Sequence, residues 1–182
     1  MGKLIVISGA SGVGKGTVLG IAMKKRDDLR FSVSATTRPP RPNEVDGVHY
    51  FFLDRDRFET MIAAGEFLEY SNHMSNFYGT PRGQALEKME KGHVLLDIEP
   101  NGAGQVKKNM PEATLIFIMP PSVEELERRL RGRGDTPEDQ IKIRMERAIW
   151  EMDQREWYDH VLVNDDAEVC AKKILKIIAD EA

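Results

Sequence analysis

The sequence feature that most constrains the fold is a glycine-rich loop that directly follows a short apolar segment. Apolar residues run from Leu4 to Ile7, the length of a buried strand, and the loop after them reads Gly9-Ala10-Ser11-Gly12-Val13-Gly14-Lys15-Gly16-Thr17. A segment compatible with a helix comes next, at residues 18–23. In such an order, backbone N–H groups and the positive end of a helix together bind phosphate. We therefore expect a triphosphate-binding loop in which Lys15 reaches the β- and γ-phosphates, in preference to an ordinary glycine-rich turn.

One position of this loop departs from the usual motif, which has Ser or Thr directly after the lysine as a ligand of Mg²⁺. Gly16 stands there, and the hydroxyl comes one residue later, at Thr17. We expect Mg²⁺ to be held mainly through water and the nucleotide, with Thr17 serving the phosphates. Direct ligation of the metal by Thr17 is the alternative.

Apolar runs of strand length recur along the chain, and each is followed by a helix-like stretch. They lie at residues 4–7, 93–98, 114–119 and 161–163. Repeated strand-then-helix order predicts an α/β fold of the P-loop NTPase type, a parallel sheet flanked by helices. Ser122 and Glu125 form the sequence pattern of a helix start, and Thr136 precedes Pro137 at the predicted first position of another helix.

Two segments interrupt this pattern. Between about residues 35 and 80, short runs and one short helix predict an inserted, mostly antiparallel α+β subdomain. Arg, Gly and Asp dominate residues 128–139, which we expect to form a mobile flap.

Length and composition limit the class of protein. The 182 residues predict one domain, and 26 Lys+Arg against 30 Asp+Glu give a net charge of −4, which excludes a general electrostatic grip on polymeric nucleic acid. A single cysteine, Cys170, excludes an internal disulfide and favours a reducing compartment, for which cytoplasm is the default. The N-terminal apolar run is too short for a signal peptide or a membrane-spanning helix.

Four further segments carry a resemblance to a known family: Ser32–Arg41, Asp46–Phe52, Phe67–Tyr70 and Tyr78–Pro81. On these and the phosphate loop, the chain resembles guanylate kinases over nearly its whole length. The resemblance implies transfer of a phosphoryl group from ATP to GMP with Mg²⁺, and dGMP as a further acceptor. It implies a single domain over residues 1–182, with a core at 1–34, 81–126 and 151–182, a GMP-binding insertion at 35–80 and a helical lid at 127–150.

The resemblance assigns the acceptor phosphate to Arg38 and Arg41, helped by the hydroxyls of Tyr50 and Tyr78. A guanidinium fork matches phosphate oxygens, and nearby prolines stiffen the backbone here. Taken without the family, arginines in a proline-rich loop are usually solvated.

Base recognition falls by resemblance to Glu69, with the hydroxyls of Ser34 and Thr80. One carboxylate can accept from both N1–H and the exocyclic amine of guanine, whereas adenine has no donor at N1. Alternation along Phe67-Leu68-Glu69-Tyr70 alone favours a solvent-facing Glu69.

Asp97 ends a predicted strand at the sheet edge where such folds bind ligands, and we expect it to orient GMP or Mg²⁺-bound water. The family has a glutamine where this chain has Asn101. The resemblance also implies lid or hinge arginines at Arg129, Arg133 and Arg144, which neutralise charge on the transferred group. Asn164 matches a residue beside adenine, and capping the last helix is its compatible alternative.

Three functions follow from these residues. An active guanylate kinase is favoured. A kinase of the same fold acting on another phosphate acceptor would not need Glu69 and Ser34 together. A non-catalytic scaffold module with this fold would usually have lost the phosphate loop and Lys15.

Overall fold

The structure is a computed structural model that describes residues 2–73, 75–132 and 137–180. These residues form two compact units. The first comprises the chain up to Leu4, Asp28–Leu96 and Asn101–Ala113, and the second comprises Ile5–Asp27, Asp97–Pro100 and the chain from Thr114 onward.

The secondary-structure elements are, in chain order, β1 (Leu4–Gly9), α1 (Lys15–Lys25), β2 (Leu29–Phe31), β3 (Ala35–Thr36), β4 (Phe51–Phe52), α2 (Arg55–Ala63), β5 (Phe67–His73), β6 (Asn76–Pro81), α3 (Arg82–Glu90), β7 (His93–Asp97), α4 (Pro100–Asn109), β8 (Thr114–Met119), α5 (Val123–Arg131), α6 (Glu138–Asp153), a 3₁₀ turn (Gln154–Trp157), β9 (His160–Val163) and α7 (Ala167–Asp180).

In the second unit, β8 lies between β1 and β9 and pairs in parallel with both. Ile5 of β1 lies opposite Thr114, and Ile116 of β8 lies opposite His160. Every residue of β1 is buried, as expected for a parallel strand covered on both faces by helices. Helices α1 and α7 pack against each other in the same unit. The prediction of a parallel sheet flanked by helices is confirmed.

The first unit contains a parallel pair, β2 with β7, and a separate sheet in the order β4-β3-β6-β5. Two of the three pairings in that sheet are antiparallel and one, β3 with β4, is parallel. Its core is aromatic: the ring of Phe58 stacks on Phe67 at 4.4 Å and on Phe77 at 5.3 Å between centroids. The strands that carry Glu69, Tyr78 and Thr80 are therefore backed by a packed apolar layer.

The structure confirms one predicted helix start and changes two other predicted boundaries. Ser122 caps α5 as predicted, because its hydroxyl accepts from the N–H of Glu125 at 3.1 Å. Helix α5 then continues to Arg131, so the first residues of the predicted flap are helical; Leu126 and Leu130, one turn apart, are both buried and hold that turn in place. Pro137 is the N-cap of α6, not its first helical residue, and Thr136 lies outside the described residues.

Within the part of the chain that the structure describes, none of the helices combines the length and the apolar character needed to span a bilayer.

Candidate active site

The phosphate loop of the second unit depends on glycine at positions 12 and 14. Gly12 and Gly14 have φ of 90° and 95°, in the left-handed region that side chains with a Cβ rarely adopt. A Cβ on Gly12 would lie 2.7 Å from Cδ2 of Leu130, and one on Gly14 would lie 2.8 Å from Nδ2 of Asn164. Because Gly14 is also the N-cap of α1, the turn delivers the chain directly into the positive end of that helix.

Lys15 lies at the first position of α1 and reaches back across the loop. Its Nζ donates to the carbonyl of Gly9 at 2.8 Å and lies 3.9 Å from Oδ1 of Asp97. The chain after β7 is fixed beside β1, since Ile98 N–H donates to Ile7 O at 3.2 Å and the Ser8 hydroxyl donates to Ile98 O at 2.7 Å. The ammonium of Lys15 and the carboxylate of Asp97 therefore lie together beside Gly9, the first residue of the phosphate loop.

The electrostatics of Asp97 are set by two opposing effects. Loss of hydration among the surrounding protein atoms raises the pKa of its carboxyl above the ordinary value, and the nearby charge of Lys15 opposes that rise. The side chain keeps 38% of its exposure, so the carboxylate is still available to a ligand.

The carbonyl of Val13 in the phosphate loop accepts hydrogen bonds from two side chains. Nδ2 of Asn164 lies 2.8 Å from it and Nη1 of Arg129 lies 3.2 Å from it. Arg129 also donates to the carbonyl of Asn164 and, through Nε, to Glu125 at 2.7 Å. Three segments that are distant in sequence thus meet at one backbone oxygen of the phosphate loop.

Asn164 is buried and does not cap the last helix. The cap is Asp166, whose Oδ1 accepts from the N–H of Val169 at 2.9 Å. The capping alternative for Asn164 is therefore wrong, and its side chain instead joins β9 to the phosphate loop.

The remaining predicted residues of this unit are spread along two helices. Gly16 and Thr17 are exposed in the first turn of α1, and Arg144 is exposed on α6. Arg133 lies outside the described residues. Among the residues that the structure describes, no three His, Cys, Asp or Glu side chains group together as a metal cage. A cation here would depend on Asp97, Thr17, water and the nucleotide itself, an arrangement that suits Mg²⁺.

In the first unit, the guanidinium of Arg38 is held on several sides. Nη1 and Nη2 donate to the two oxygens of Glu44 at 2.9 and 3.0 Å. The guanidinium carbon lies 5.5 Å from the ring centre of Tyr50 and 5.9 Å from that of Phe52. The ring of Tyr78 packs edge-on against the ring of Tyr50, with 6.2 Å between the ring centroids. The arginine and both tyrosines that the sequence singled out are therefore brought together.

A tight turn places Glu44 on Arg38. Glu44 N–H donates to Arg41 O at 3.0 Å, and Asn43 has a φ of 76°, so residues 41–44 form a turn with Pro42 at its second position and a left-handed residue at its third. Oε2 of Glu44 also accepts from Arg41 N–H at 2.7 Å. The hydrogen bonds from Arg38 and from the Arg41 backbone lower the pKa of Glu44 to about 2. The Arg41 side chain is exposed.

Glu69 is buried, and alternation along β5 misplaces it. The register of β5 against β6 shifts between Phe67 and Glu69, so Phe67, Leu68 and Glu69 are all buried and Glu69 lies opposite Thr80. The Thr80 hydroxyl donates to Oε1 of Glu69 at 2.6 Å. Ser34, half-buried, belongs to the same sheet through its carbonyl, which accepts from Phe51 N–H at 2.9 Å.

Sequence reasoning missed two acidic residues in these arrangements. Glu44 follows Arg41 by three residues, and that spacing after a Pro-Asn pair is the signal that could have found it. Glu151 accepts from Ser11 N–H of the phosphate loop at 3.2 Å. It stands three residues after Ala148 and one before Met152, so a charge on the apolar face of α6 was its signal.

A glycine loop of this kind at the carboxyl end of a buried parallel strand, with Lys15 and Asp97 beside it, defines a P-loop nucleotide-binding protein. The family model described as guanylate kinase matches residues 1–181. A guanylate kinase from Clostridioides difficile is 49% identical over 181 residues, covering 99% of this chain and 88% of that protein. The chain belongs to the guanylate kinase family.

Two further comparisons agree. A guanylate kinase from Carboxydothermus hydrogenoformans is 45% identical over 181 residues, which are 99% of this chain and 89% of that protein. The crystal structure of guanylate kinase from Anaplasma phagocytophilum matches with a TM-score of 0.74 at 34% identity, covering 99% of this chain and 86% of that one.

Proposed function

We propose that this protein is a phosphotransferase that moves the γ-phosphoryl group of ATP to GMP, giving ADP and GDP. The observation that carries the choice of acceptor is the buried carboxylate of Glu69, held by Thr80 in the unit where Arg38, Tyr50 and Tyr78 also lie near one another. A carboxylate only accepts hydrogen bonds, so at this position it favours a ligand edge that carries donors.

In the donor half, the loop Gly9–Thr17 binds the triphosphate of ATP through backbone N–H groups, and Lys15 neutralises its β- and γ-phosphates. Asn164, whose amide donates to the Val13 carbonyl of the same loop, is the residue beside the adenine. Asp97, 3.9 Å from Lys15, orients the reactants and accepts from ligand-bound water.

In the acceptor half, Arg38 and Arg41 bind the phosphate of GMP together with the hydroxyls of Tyr50 and Tyr78. Glu69 accepts from N1–H and the exocyclic amine of guanine, and Ser34 and Thr80 complete the hydrogen bonds to the base. The contact site is the base edge, so dGMP is an acceptor as well.

Lid and metal complete the proposal. Residues 35–80 form the GMP-binding insertion and residues 127–150 the lid, and Arg129, Arg133 and Arg144 neutralise charge on the transferred group when both nucleotides are bound. Mg²⁺ supplies charge neutralisation of the phosphates when bound, and Asp97 and Thr17 are the residues that would hold it. We place the protein in the cytoplasm.

The two alternatives are not favoured. A scaffold module has no use for Lys15 or for the left-handed glycines at positions 12 and 14, all of which are in place. A kinase for an acceptor without a purine has no use for the buried Glu69.

The direct test is a coupled assay with ATP and, in turn, GMP, dGMP, AMP, CMP and UMP. We expect turnover on the order of 1–100 s⁻¹ with GMP, the scale of kinases, and little with the other bases. Lys15→Ala should abolish turnover, and Lys24→Ala, an exposed lysine later in the same helix, should not. Absence of turnover with every monophosphate would overturn the proposal.

A further inference from the structure

We propose that Glu151 is a positioning residue that holds α6 in register with the phosphate loop, so that Arg144 on the same helix is placed for phosphoryl transfer. This inference rests on the proposed function, because it assigns Arg144 the role given there. It concerns only the second unit, in which all of these residues lie.

The contact that carries the inference joins a buried carboxylate to the backbone of the loop. Glu151 is 4% exposed, and its Oε2 accepts from Ser11 N–H at 3.2 Å. Its other oxygen, Oε1, accepts from Nε of Arg147 at 3.3 Å. Both carboxylate oxygens therefore have a donor, one of them on the phosphate loop and the other on the same helix as Glu151.

A charge at this position is not what packing alone would select. Ala148 and Met152, on the same side of α6, are buried apolar residues, and an apolar side chain at position 151 would avoid the cost of removing a carboxylate from water. What the carboxylate provides is a directional bond to one backbone N–H. Such a bond fixes the position of α6 relative to the phosphate loop, whereas nondirectional apolar contacts would allow the helix to shift along its axis.

A second link runs from the same face of α6. Nη2 of Arg147 lies 2.6 Å from Oε1 of Glu99, which follows Asp97 by two residues. Both side chains are about half exposed, so this ion pair contributes little free energy by itself. The buried bond of Glu151 is the one that fixes the register, and Arg147 balances its charge.

Arg144 stands seven residues before Glu151, two helical turns away on the same face of α6. It therefore moves with any shift of α6 relative to the phosphate loop. A misplacement of about 1 Å in a group that acts in the transition state costs on the order of 10² in rate. Since Glu151 touches the loop at Ser11 and not at Lys15, its loss should affect the rate of transfer more than nucleotide affinity.

The experiment measures kcat and both KM values for Glu151→Ala, Glu151→Asp and Glu151→Gln. Glu146→Ala, an exposed glutamate on the same helix, is the control. We expect the Ala and Asp variants to lose about 10²-fold in kcat with KM for GMP nearly unchanged, because neither reaches Ser11. The Gln variant keeps an amide oxygen for Ser11 N–H and should recover most of the rate. If Glu151→Ala does not fold, the Asp variant carries the comparison.

A double-mutant cycle separates positioning from general support of the loop. In an Arg144→Ala background, Glu151→Asp should lower kcat little further, because the group that it positions is gone. Equal losses in both backgrounds would overturn the inference, as would a Gln variant no better than Asp. A readout that does not use activity is amide hydrogen exchange at Ser11, which we expect to become faster in the Ala and Asp variants and to stay slow in Gln.

Failure of the proposed function looks different, since it appears as absence of GMP turnover in the wild-type chain. An active wild type with unchanged kcat in the Asp variant would reject the role of Glu151 alone.

Discussion

Both carboxylate oxygens of Glu44 accept hydrogen bonds from the guanidinium of Arg38, at 2.9 and 3.0 Å. The rings of Tyr50 and Phe52 lie against the same guanidinium. Glu44 and the two aromatic rings therefore hold the guanidinium of Arg38 in one orientation.

The first prediction concerns acceptor affinity. Glu44→Gln weakens the grip on Arg38, and we expect KM for GMP to rise about tenfold, the value of one charge-assisted hydrogen bond, with KM for ATP unchanged. Steady-state kinetics with each substrate varied in turn measure both constants. Glu59→Gln, which removes the exposed partner of Arg55 on α2, is the matched control and should leave both unchanged. A fall in KM for GMP would show instead that Glu44 competes with the phosphate.

The second prediction concerns stability against pH. The pKa of Glu44 is about 2 in the folded chain and 4.5 in its ordinary state. A lowered pKa means that this carboxylate stabilises the fold above pH 4.5 and loses that contribution as the pH falls from 4.5 towards 2. The difference in urea midpoint between wild type and Glu44→Gln should be constant from pH 8 to 6 and shrink below pH 4.5. A difference that does not change with pH would contradict the ion pair.

The third prediction concerns the base. Glu69→Gln replaces an acceptor oxygen with a donor amide, which opposes the donors of guanine. We expect kcat/KM for GMP to fall by roughly 10⁴, the scale seen when buried polar groups are left unpaired, while ATP binding is retained. Glu66→Gln, an exposed neighbour three residues earlier, is the control. Calorimetric titration with a non-hydrolysable ATP analogue checks the donor half, and equal damage to both nucleotides would reject base reading by Glu69.

The fourth prediction concerns the missing hydroxyl of the phosphate loop. Among the residues that the structure describes, no atom lies within 4 Å of a Cβ built on Gly16, so these residues do not require glycine there. Gly16→Ser should raise the free energy of unfolding by about 0.5 kcal/mol through helix propensity. It should also shift half-maximal activity to lower free Mg²⁺, because it supplies a ligand oxygen next to Lys15. An unchanged Mg²⁺ dependence would mean that Thr17 already serves this purpose.

The fifth prediction concerns backbone strain in the hairpin between β5 and β6. Ser75 has a φ of 68°, a conformation that costs a residue with a Cβ about 1–2 kcal/mol. Ser75→Gly relieves that cost and loses part of the gain to chain entropy, so we expect a stabilisation of about 0.5 kcal/mol. Asn43→Gly is the matched control, since asparagine tolerates its φ of 76° and the gain should be smaller. Thermal unfolding compares the two.

Local patterns in the chain were sufficient for the parallel strands and the phosphate loop. The apolar runs that become β1, β7, β8 and β9 are continuous, and the order strand, loop, lysine, helix depends only on neighbours in sequence. Helix ends were less certain. Pro137, for example, was predicted at the first helical position of α6 and is its N-cap, one residue earlier in the helix-start pattern.

The burial of Glu69 and the partners of Glu44 and Glu151 could not be predicted in this way. Glu69 turns inward because of a register shift, which depends on how β5 meets β6 and not on its own neighbours. Ser11 and Glu151 are 140 residues apart, and the sequence around either residue does not indicate that the other is its partner. Such contacts come from tertiary packing, which no periodicity encodes.

The bonds from Asn164 and Arg129 to the carbonyl of Val13 have a thermodynamic consequence. The partial negative charge of a backbone carbonyl oxygen repels an anion, and these two donors offset that charge at Val13. They also order the backbone of the loop before a nucleotide binds. A flexible loop would lose conformational entropy on binding a triphosphate, whereas this loop loses that entropy during folding. More of the free energy of the phosphate contacts therefore appears as binding affinity.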